Sequence, residues 1–536
     1  MTQKVIKDYM RDSSGLIKEF NKFDVFIFNV LGFSLGVVLS VAPTFLGKNF
    51  PSANPYLVLI LGTGLAVLNG YVYSLFASAM PRSGGEYEYI GRTFNHKWGF
   101  VASWGFSWSQ FLGLGVYTAW CIQTALSPAL LNFGYVTNNS LFIGLGKLIS
   151  VPINTFIIGV ILLFVVYFIS ILGLKFLKRL FNVFFFISLL GTIVTIIIFF
   201  ATSNTEFIRL FNEFMFQKAN YSNAYYSIID LAKTQGLQTH QNTNFLESII
   251  ALPIGYWLFI GFTYSAYVGG EVKKADKSQN FGIIGSLIFG FFVYLIAFIA
   301  YYHTVGRDFN NAISLIQGTK ISPLLVDGSI GSLTGIITKS IFLNILIGLS
   351  NFLWYILLLF VMAQVCSRNL FAWSHYRVMP KSFTKVNEKT GAPVTSILLI
   401  ILMAILFLAL YLFANLSFIN YIAIFSVAFL ITGIAAIKFA SSNNKIFQRS
   451  PLGVKRKVFG IYLMKIAGIG NTVLFLLLLY SSLTNAGIGG TGGFLPIVIL
   501  LAIYLIGFIV YFISQKVNAQ KHIDLDKEMS LELSED

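Results

Sequence analysis

Residues 251–274 read ALPIGYWLFIGFTYSAYVGGEVKK. The run is long and apolar enough to cross a bilayer, yet its middle is weak. Pro253 and Gly255 stand near its start, and Gly261, Thr263, Tyr264, Ser265 and Tyr267 follow. It closes on Gly269 and Gly270, with Glu271, Lys273 and Lys274 directly behind. Glycine leaves helical φ and ψ easily, but an unwound backbone in hydrocarbon must be buried in protein or line a cavity. The stretch therefore predicts a spanning helix that breaks at mid-depth and presents free N–H and C=O groups to a ligand. A glycine-rich face packed on a neighbouring helix would use the same residues. The remainder of the chain decides between the two.

Of 536 residues, 56% are hydrophobic and 11% are charged. Soluble domains carry about a quarter charged residues, so an all-α polytopic membrane protein is expected. Taking a spanning helix as about 20 mostly apolar residues, twelve spans emerge. They are 24–46, 56–80, 98–131, 153–172, 180–202, 248–270, 282–303, 339–366, 394–413, 418–440, 458–482 and 494–515. The third is overlong, and is expected to tilt strongly or to stop near Pro128. The net charge of +16 does not mark a nucleic-acid surface, because Lys and Arg sit in short loops between apolar runs. With the N-terminus inside, 29 of the 37 Lys and Arg residues fall on the cytoplasmic side. Both termini are then cytoplasmic, and the expected location is the plasma membrane. Two cysteines and five scattered histidines offer neither a disulfide framework nor a metal site. The Gly-rich run 487–493 lacks the lysine of a phosphate loop and reads as an external turn. No cofactor is expected, and the spans hold no nucleophile–base set for an enzyme.

The first span begins DVFIFNVLGFSLGVVLSVAP at Asp24, with Gly32, Ser34 and Gly36 in its middle. The sixth has Gly261, Thr263 and Ser265 there. The two starts are five spans apart, and an odd number of spans per unit forces opposite orientations. The pattern predicts a 5+5 inverted-repeat core with helices 1 and 6 broken at matching positions. The expected organisation is a tail (1–23), a first repeat (24–202), an external segment (203–247), a second repeat (248–440), two further spans (441–515) and a C-terminal tail (516–536). None of the first ten spans holds an Asp, Glu, Lys or Arg well inside it. Ion coupling would then fall to carbonyls, hydroxyls, or end carboxylates such as Asp24, Glu86 and Glu271.

Three flanking motifs carry a family resemblance. Pro81-Arg82-Ser83-Gly84-Gly85-Glu86-Tyr87-Glu88-Tyr89-Ile90 follows span 2. Ser367-Arg368-Asn369-Leu370-Phe371-Ala372-Trp373, running on to Met379-Pro380 and Thr390-Gly391-Ala392-Pro393, follows span 8. Ile260-Gly261-Phe262 and Gly270-Glu271-Val272-Lys273-Lys274 lie in the opening stretch. These resemble, in turn, the PxSGGxYxY loop, the SRxLYAMARDGxLP…TGxP loop and the broken sixth helix of the amino acid–polyamine–organocation superfamily of permeases. The resemblance covers residues 20–440 and implies a leucine-transporter-type fold.

It also implies a site. Ser34, Leu35 and Gly36 stand where the family's first-helix cradle holds a carboxylate, suited by the positive end of a helix. Phe259, Ile260 and Gly261 would turn carbonyls to the ammonium group. Trp257 falls where arginine/agmatine exchangers stack a Trp on substrate, and Phe259 at a common gate position. Thr263 replaces an acid found in many members, Leu35 replaces a serine, and residues 182–202 lack the lysine of some proton-coupled members. The coupling ion is thus open among Na+, H+ and none. A Na+ site would draw on the Phe33 carbonyl with Ser350 and Asn351. The expected function is alternating-access secondary transport of a neutral or weakly charged amino acid across the bilayer. A polyamine or other organic-cation permease, or an amino acid sensor that does not transport, are the alternatives.

Overall fold

The computed structural model describes residues 18–239, 242–414, 420–441, 445–485 and 494–525. Most of both tails and the Gly-rich run lie outside the described residues. The helices are α1 (Lys22–Phe33), α2 (Leu35–Asn49), α3 (Pro55–Ala79), α4 (Glu86–Thr93) and α5 (His96–Trp120). A π-helical turn (Cys121–Leu126) joins α5 to α6 (Ser127–Thr137), followed by α7 (Ser140–Ile149), α8 (Pro152–Ser170) and α9 (Leu174–Ala201). Next come α10 (Asn204–Ala219), α11 (Ala224–Thr234), α12 (Phe245–Ile250), α13 (Leu252–Trp257) and α14 (Tyr264–Tyr267). The remainder are α15 (Ala275–Val305), α16 (Arg307–Ile316), α17 (Ile330–Ile337), α18 (Ile341–His375), α19 (Val394–Phe413), α20 (Tyr421–Phe439), α21 (Lys445–Arg449), α22 (Leu463–Thr484) and α23 (Phe494–Ala519). A two-stranded hairpin, Lys457–Val458 against Ile461–Tyr462, precedes α22.

Local chemistry sets the helix starts. The Asn21 side chain accepts from the amides of Phe23 and Asp24, and Asp24 Oδ2 accepts from Asn21 N. Asn54 caps α3 with Pro55 in its first turn, and Asn95 caps α5.

Eleven helical stretches among the described residues are long and apolar enough to span a membrane. Burial orders them from centre to rim. The apolar window of α1–α2 is 94% buried, against 17% for α23. Phe168, Phe186, Ile197 and Leu505 turn outward from the rim helices, as a hydrocarbon solvent allows. The expected sixth span, 248–270, is not one helix. It runs through α12, α13, a non-helical turn and α14, almost wholly buried.

Three expectations are refined. The third span does not stop at Pro128: helix continues from His96 to Thr137, with the π turn just before the proline. That length, about 60 Å of helix, exceeds a bilayer core of about 30 Å. The eighth span does not end at residue 366 but runs to His375, so Arg368 and Asn369 are buried helical residues. The described residues of 203–247 and of 304–338 include packed helices, with Phe207, Phe211, Ile228 and Phe309 in their core. Asn310 and Asn311 donate to the carbonyls of Pro43 and Pro51, fastening this cap over the end of α2.

Candidate functional site

Two interruptions meet at the centre. The first is a single residue, Ser34, at φ 48° and ψ 90° between α1 and α2. A non-glycine residue at positive φ is strained, and here its hydroxyl is anchored by donating to the Trp354 carbonyl at 2.9 Å. That bond occupies the hydroxyl, and Ser34 makes no side-chain cap to α2. The first amides of α2, those of Leu35, Gly36 and Val37, thus begin a helix with no intrahelical acceptor and no cap.

The second interruption spans residues 258–263. Leu258, Phe259, Ile260 and Phe262 close turn bonds to Ile254, Tyr256, Trp257 and Phe259, and Gly261 takes φ 116°. The Leu258 carbonyl accepts from the Tyr294 hydroxyl at 3.0 Å. The carbonyls of Phe259 and Gly261 each accept one turn bond, and that of Ile260 accepts none in this turn.

The interruptions touch backbone to backbone. A Cβ on Gly32 would lie 2.5 Å from the Gly261 oxygen, and one on Gly261 would lie 2.2 Å from the Gly32 carbonyl carbon. Only glycine allows that approach. A polar clamp holds the crossing: Asn29 Nδ2 donates to Ser265 Oγ at 3.0 Å, and Ser265 N donates to Asn29 Oδ1 at 2.9 Å. Ser265 Oγ donates to Gln279 Oε1, and Gln279 Nε2 donates to the Ser265 carbonyl. Each amide and hydroxyl in this set has a partner, so the clamp fixes α14 against α1 and α15.

The structure gathers Ser34, Leu35, Gly36, Ile260, Gly261 and Thr263 around the interruptions, all buried. Gly36 lies under the Trp354 indole, whose Cδ1 would be 2.2 Å from an added Cβ. Trp257 points its Nε1 to the Tyr117 hydroxyl at 3.2 Å, its ring near Phe45 and Trp120. Phe259 instead packs edge-on against Phe33 and Tyr294 in the core. The side chains of Ser350 and Asn351 on α18 turn elsewhere. Ser350 Oγ donates to the Ser188 carbonyl on α9 at 2.6 Å, and Asn351 lies against Gly331 of α17. Sequence reasoning missed Trp354, Asn29, Gln279 and Gln110, whose Oε1 accepts from the Tyr264 hydroxyl. Polar Asn29 and Gln110 inside apolar runs were the available signal; Trp354 gave none.

Beyond α14 the chain leaves the core through a sealed exit. Ser83 bridges Val268, Gly84 N donates to the Tyr267 carbonyl, and the Tyr267 ring covers Gly85, leaving no room for a Cβ. Phe20 bridges Val272, and the amides of Glu19 and Phe20 both donate to the Glu271 carbonyl. Arg368 grips the Glu271 carboxylate through Nε at 2.8 Å and Nη2 at 3.2 Å, and both side chains are buried. Outside this pair opens a cavity of about 320 Å³ lined by Glu19, Lys175, Arg179, Lys389, Glu271 and Arg368. Glu86 heads α4, outside the spanning helices, and is fully buried. Its Oε2 accepts from the Tyr267 hydroxyl at 2.5 Å and from the Tyr73 hydroxyl at 3.2 Å. Burial pushes its carboxyl up to about 7, with the two hydroxyls pulling the other way. Among the described residues, no group of three His, Cys, Asp or Glu side chains could hold a metal ion.

Apolar helices of spanning length around two broken segments make this a multi-pass membrane protein. Residues 25–517 match the family model described as amino acid permease, and the chain belongs to that family, whose members are transporters. It is 25% identical over 250 residues to a high-affinity methionine permease of Saccharomyces cerevisiae, 46% of this chain and 38% of the yeast protein. An 88-residue stretch is 30% identical to uncharacterized protein 399 of Sulfolobus islandicus rod-shaped virus 1, covering 16% of this chain and 22% of the viral one. The chain thus spans well under half the length of either relative.

Proposed function

We propose that this chain is a secondary transporter that moves neutral amino acids across a cell membrane by alternating access. The observation that carries the reading is the backbone contact of the two interruptions at Gly32 and Gly261. It puts an uncapped helix N-terminus and a turn with an open Ile260 carbonyl in one place. The amides of Leu35 and Gly36 would take the substrate carboxylate, and the carbonyls around Ile260 its ammonium. The Trp257, Phe45 and Trp120 rings would receive an apolar side chain. A thioether suits such rings, and the yeast relative is named for methionine. No charged side chain lies among these residues to pair with arginine or glutamate.

In this reading the 248–271 segment is a twelfth, broken crossing, and spans 1–5 and 6–10 are inverted repeats that rock about the site. The Lys and Arg asymmetry puts the exit end and both tails in the cytoplasm. Uptake of a radiolabelled amino acid panel into proteoliposomes tests it. Methionine, leucine and similar side chains are expected to be favoured, and a preference for arginine or glutamate overturns it.

A further inference from the structure

Glu86 takes no part in holding the amino acid. It is fully buried, and its Oε1 has no hydrogen-bond partner. No ion pair reaches it among the described residues: the arginine on its own helix, Arg92, is held by Glu88. The groups that bond to it among the described residues are the hydroxyls of Tyr73 on α3 and Tyr267 on α14. Tyr89 of α4 itself and Tyr504 of α23 feel its charge from farther off. Beside α5 the Tyr267 ring stacks on Phe106 at 4.6 Å, adding apolar cover. A carboxylate in that setting carries a buried charge with no counter-ion, so the neutral acid is favoured.

The same carboxyl sits on the seam that must part for the exit to open. Its loop supplies Ser83 and Gly84, which bond to Val268 and Tyr267, and Glu86 itself holds the Tyr267 hydroxyl. We propose that Glu86 is a proton site coupled to the exit: closure takes one proton onto the carboxyl, and opening releases it. When Tyr267 leaves with the exit strand, the carboxyl loses its cover and meets water. The proton passes to that water, and the carboxylate stays hydrated until the seam closes again. Tyr73 and Tyr267 keep their own protons throughout. The proposal rests on the exit opening that the transport reading requires, but its test needs no substrate.

Val268→Cys places a thiol that is covered when the exit is sealed. In full-length protein in proteoliposomes, its maleimide labelling rate, divided at each pH by that of a free thiol such as N-acetylcysteine so that thiolate formation cancels, is expected to rise with pH, with a midpoint near the value of about 7 that burial gives Glu86. Labelling of the native Cys121 and Cys366, both buried, is the background. Adding Glu86→Gln, a permanently neutral mimic, should hold this normalised rate at its slow acid-side value at every pH. Adding Tyr267→Phe instead removes a donor that favours the charged form, so the midpoint should move to higher pH. A residue that only packs would lower stability without moving a midpoint. Labelling that ignores pH in the parent, or that keeps its titration in the Glu86→Gln variant, overturns the proposal. If labelling titrates while no amino acid is taken up, the transport reading falls and the proton site stands.

Discussion

Gly32→Ala tests the crossing of the two interruptions most directly. The residue sits in helical α1, so alanine brings no backbone strain and raises helix propensity. What it adds is one methyl group, 2.5 Å from the Gly261 oxygen and 2.8 Å from Tyr264 Cδ2. An ordinary carbon–oxygen contact is about 3.3 Å, so the backbones must separate by about 1 Å, because a carbonyl oxygen cannot swing aside as a side-chain tip can. Overpacking of this kind costs about 1–3 kcal/mol. Gly261→Ala adds the penalty of a side chain at φ 116°, roughly 1–3 kcal/mol more.

Function should suffer more than stability. The amides of α2 and the carbonyls of the 258–263 turn would hold opposite ends of one small molecule. Moving one relative to the other by about 1 Å is the scale of displacement that costs about a hundredfold. Thermal unfolding in detergent and initial uptake rates in proteoliposomes should therefore rank wild type, Gly32→Ala, Gly261→Ala in falling order. Gly64→Ala is the control, since nothing lies within 4 Å of its added Cβ. Wild-type melting and uptake in Gly32→Ala would refute the backbone contact.

Arg368→Ala should cost about 3–5 kcal/mol by stranding the buried Glu271 carboxylate, and adding Glu271→Gln should recover much of it in detergent melting curves. Glu86 makes stability depend on pH. Its folded value of about 7 stands above the unfolded 4.5, so the folded state holds the proton more tightly. The contribution is fully present below about pH 4.5 and is lost as pH rises through about 7, worth about 3 kcal/mol. A melting profile that declines over that window in wild type and is flatter in Glu86→Gln checks it. Phe259→Ala should lower stability by about 3–5 kcal/mol, because the ring packs on Phe33 and Tyr294; a gate would instead change uptake at constant melting temperature.

The breaks were legible because glycine and hydroxyl residues in hydrocarbon have few other uses. Their meeting was not, since Gly32 and Gly261 are joined only by the fold. Trp354 shows the limit most clearly. A tryptophan in an apolar helix reads as packing, and only the fold reveals its carbonyl bonded to Ser34, 320 residues away. Ser350 shows the same limit from the other side: a hydroxyl on the eighth span invites an ion, and only the fold reveals that its proton goes to the Ser188 carbonyl. The end of α18 was read too early because Arg368 looks like a loop residue, and its burial depends on Glu271, which lies 97 positions before it. Helix ends set by a remote partner leave no mark in local composition.

The buried charges stand apart from the two interruptions. At mid-depth an ionised side chain is costly, and the interruptions supply partial charge from backbone dipoles without it. The buried carboxylates lie at the exit end instead. Asp24 pairs with Lys178, Glu88 with Arg92 and Glu271 with Arg368. The Asp24 and Glu271 pairs each tie one element to another, while Glu88 and Arg92 join two turns of α4, so breaking any of them has a cost. Glu86 alone among these buried acids has hydroxyls rather than a cation for company. Burial raises its carboxyl to about 7, within the physiological range, and it bonds to Tyr267 of the segment that would move in the proposed cycle.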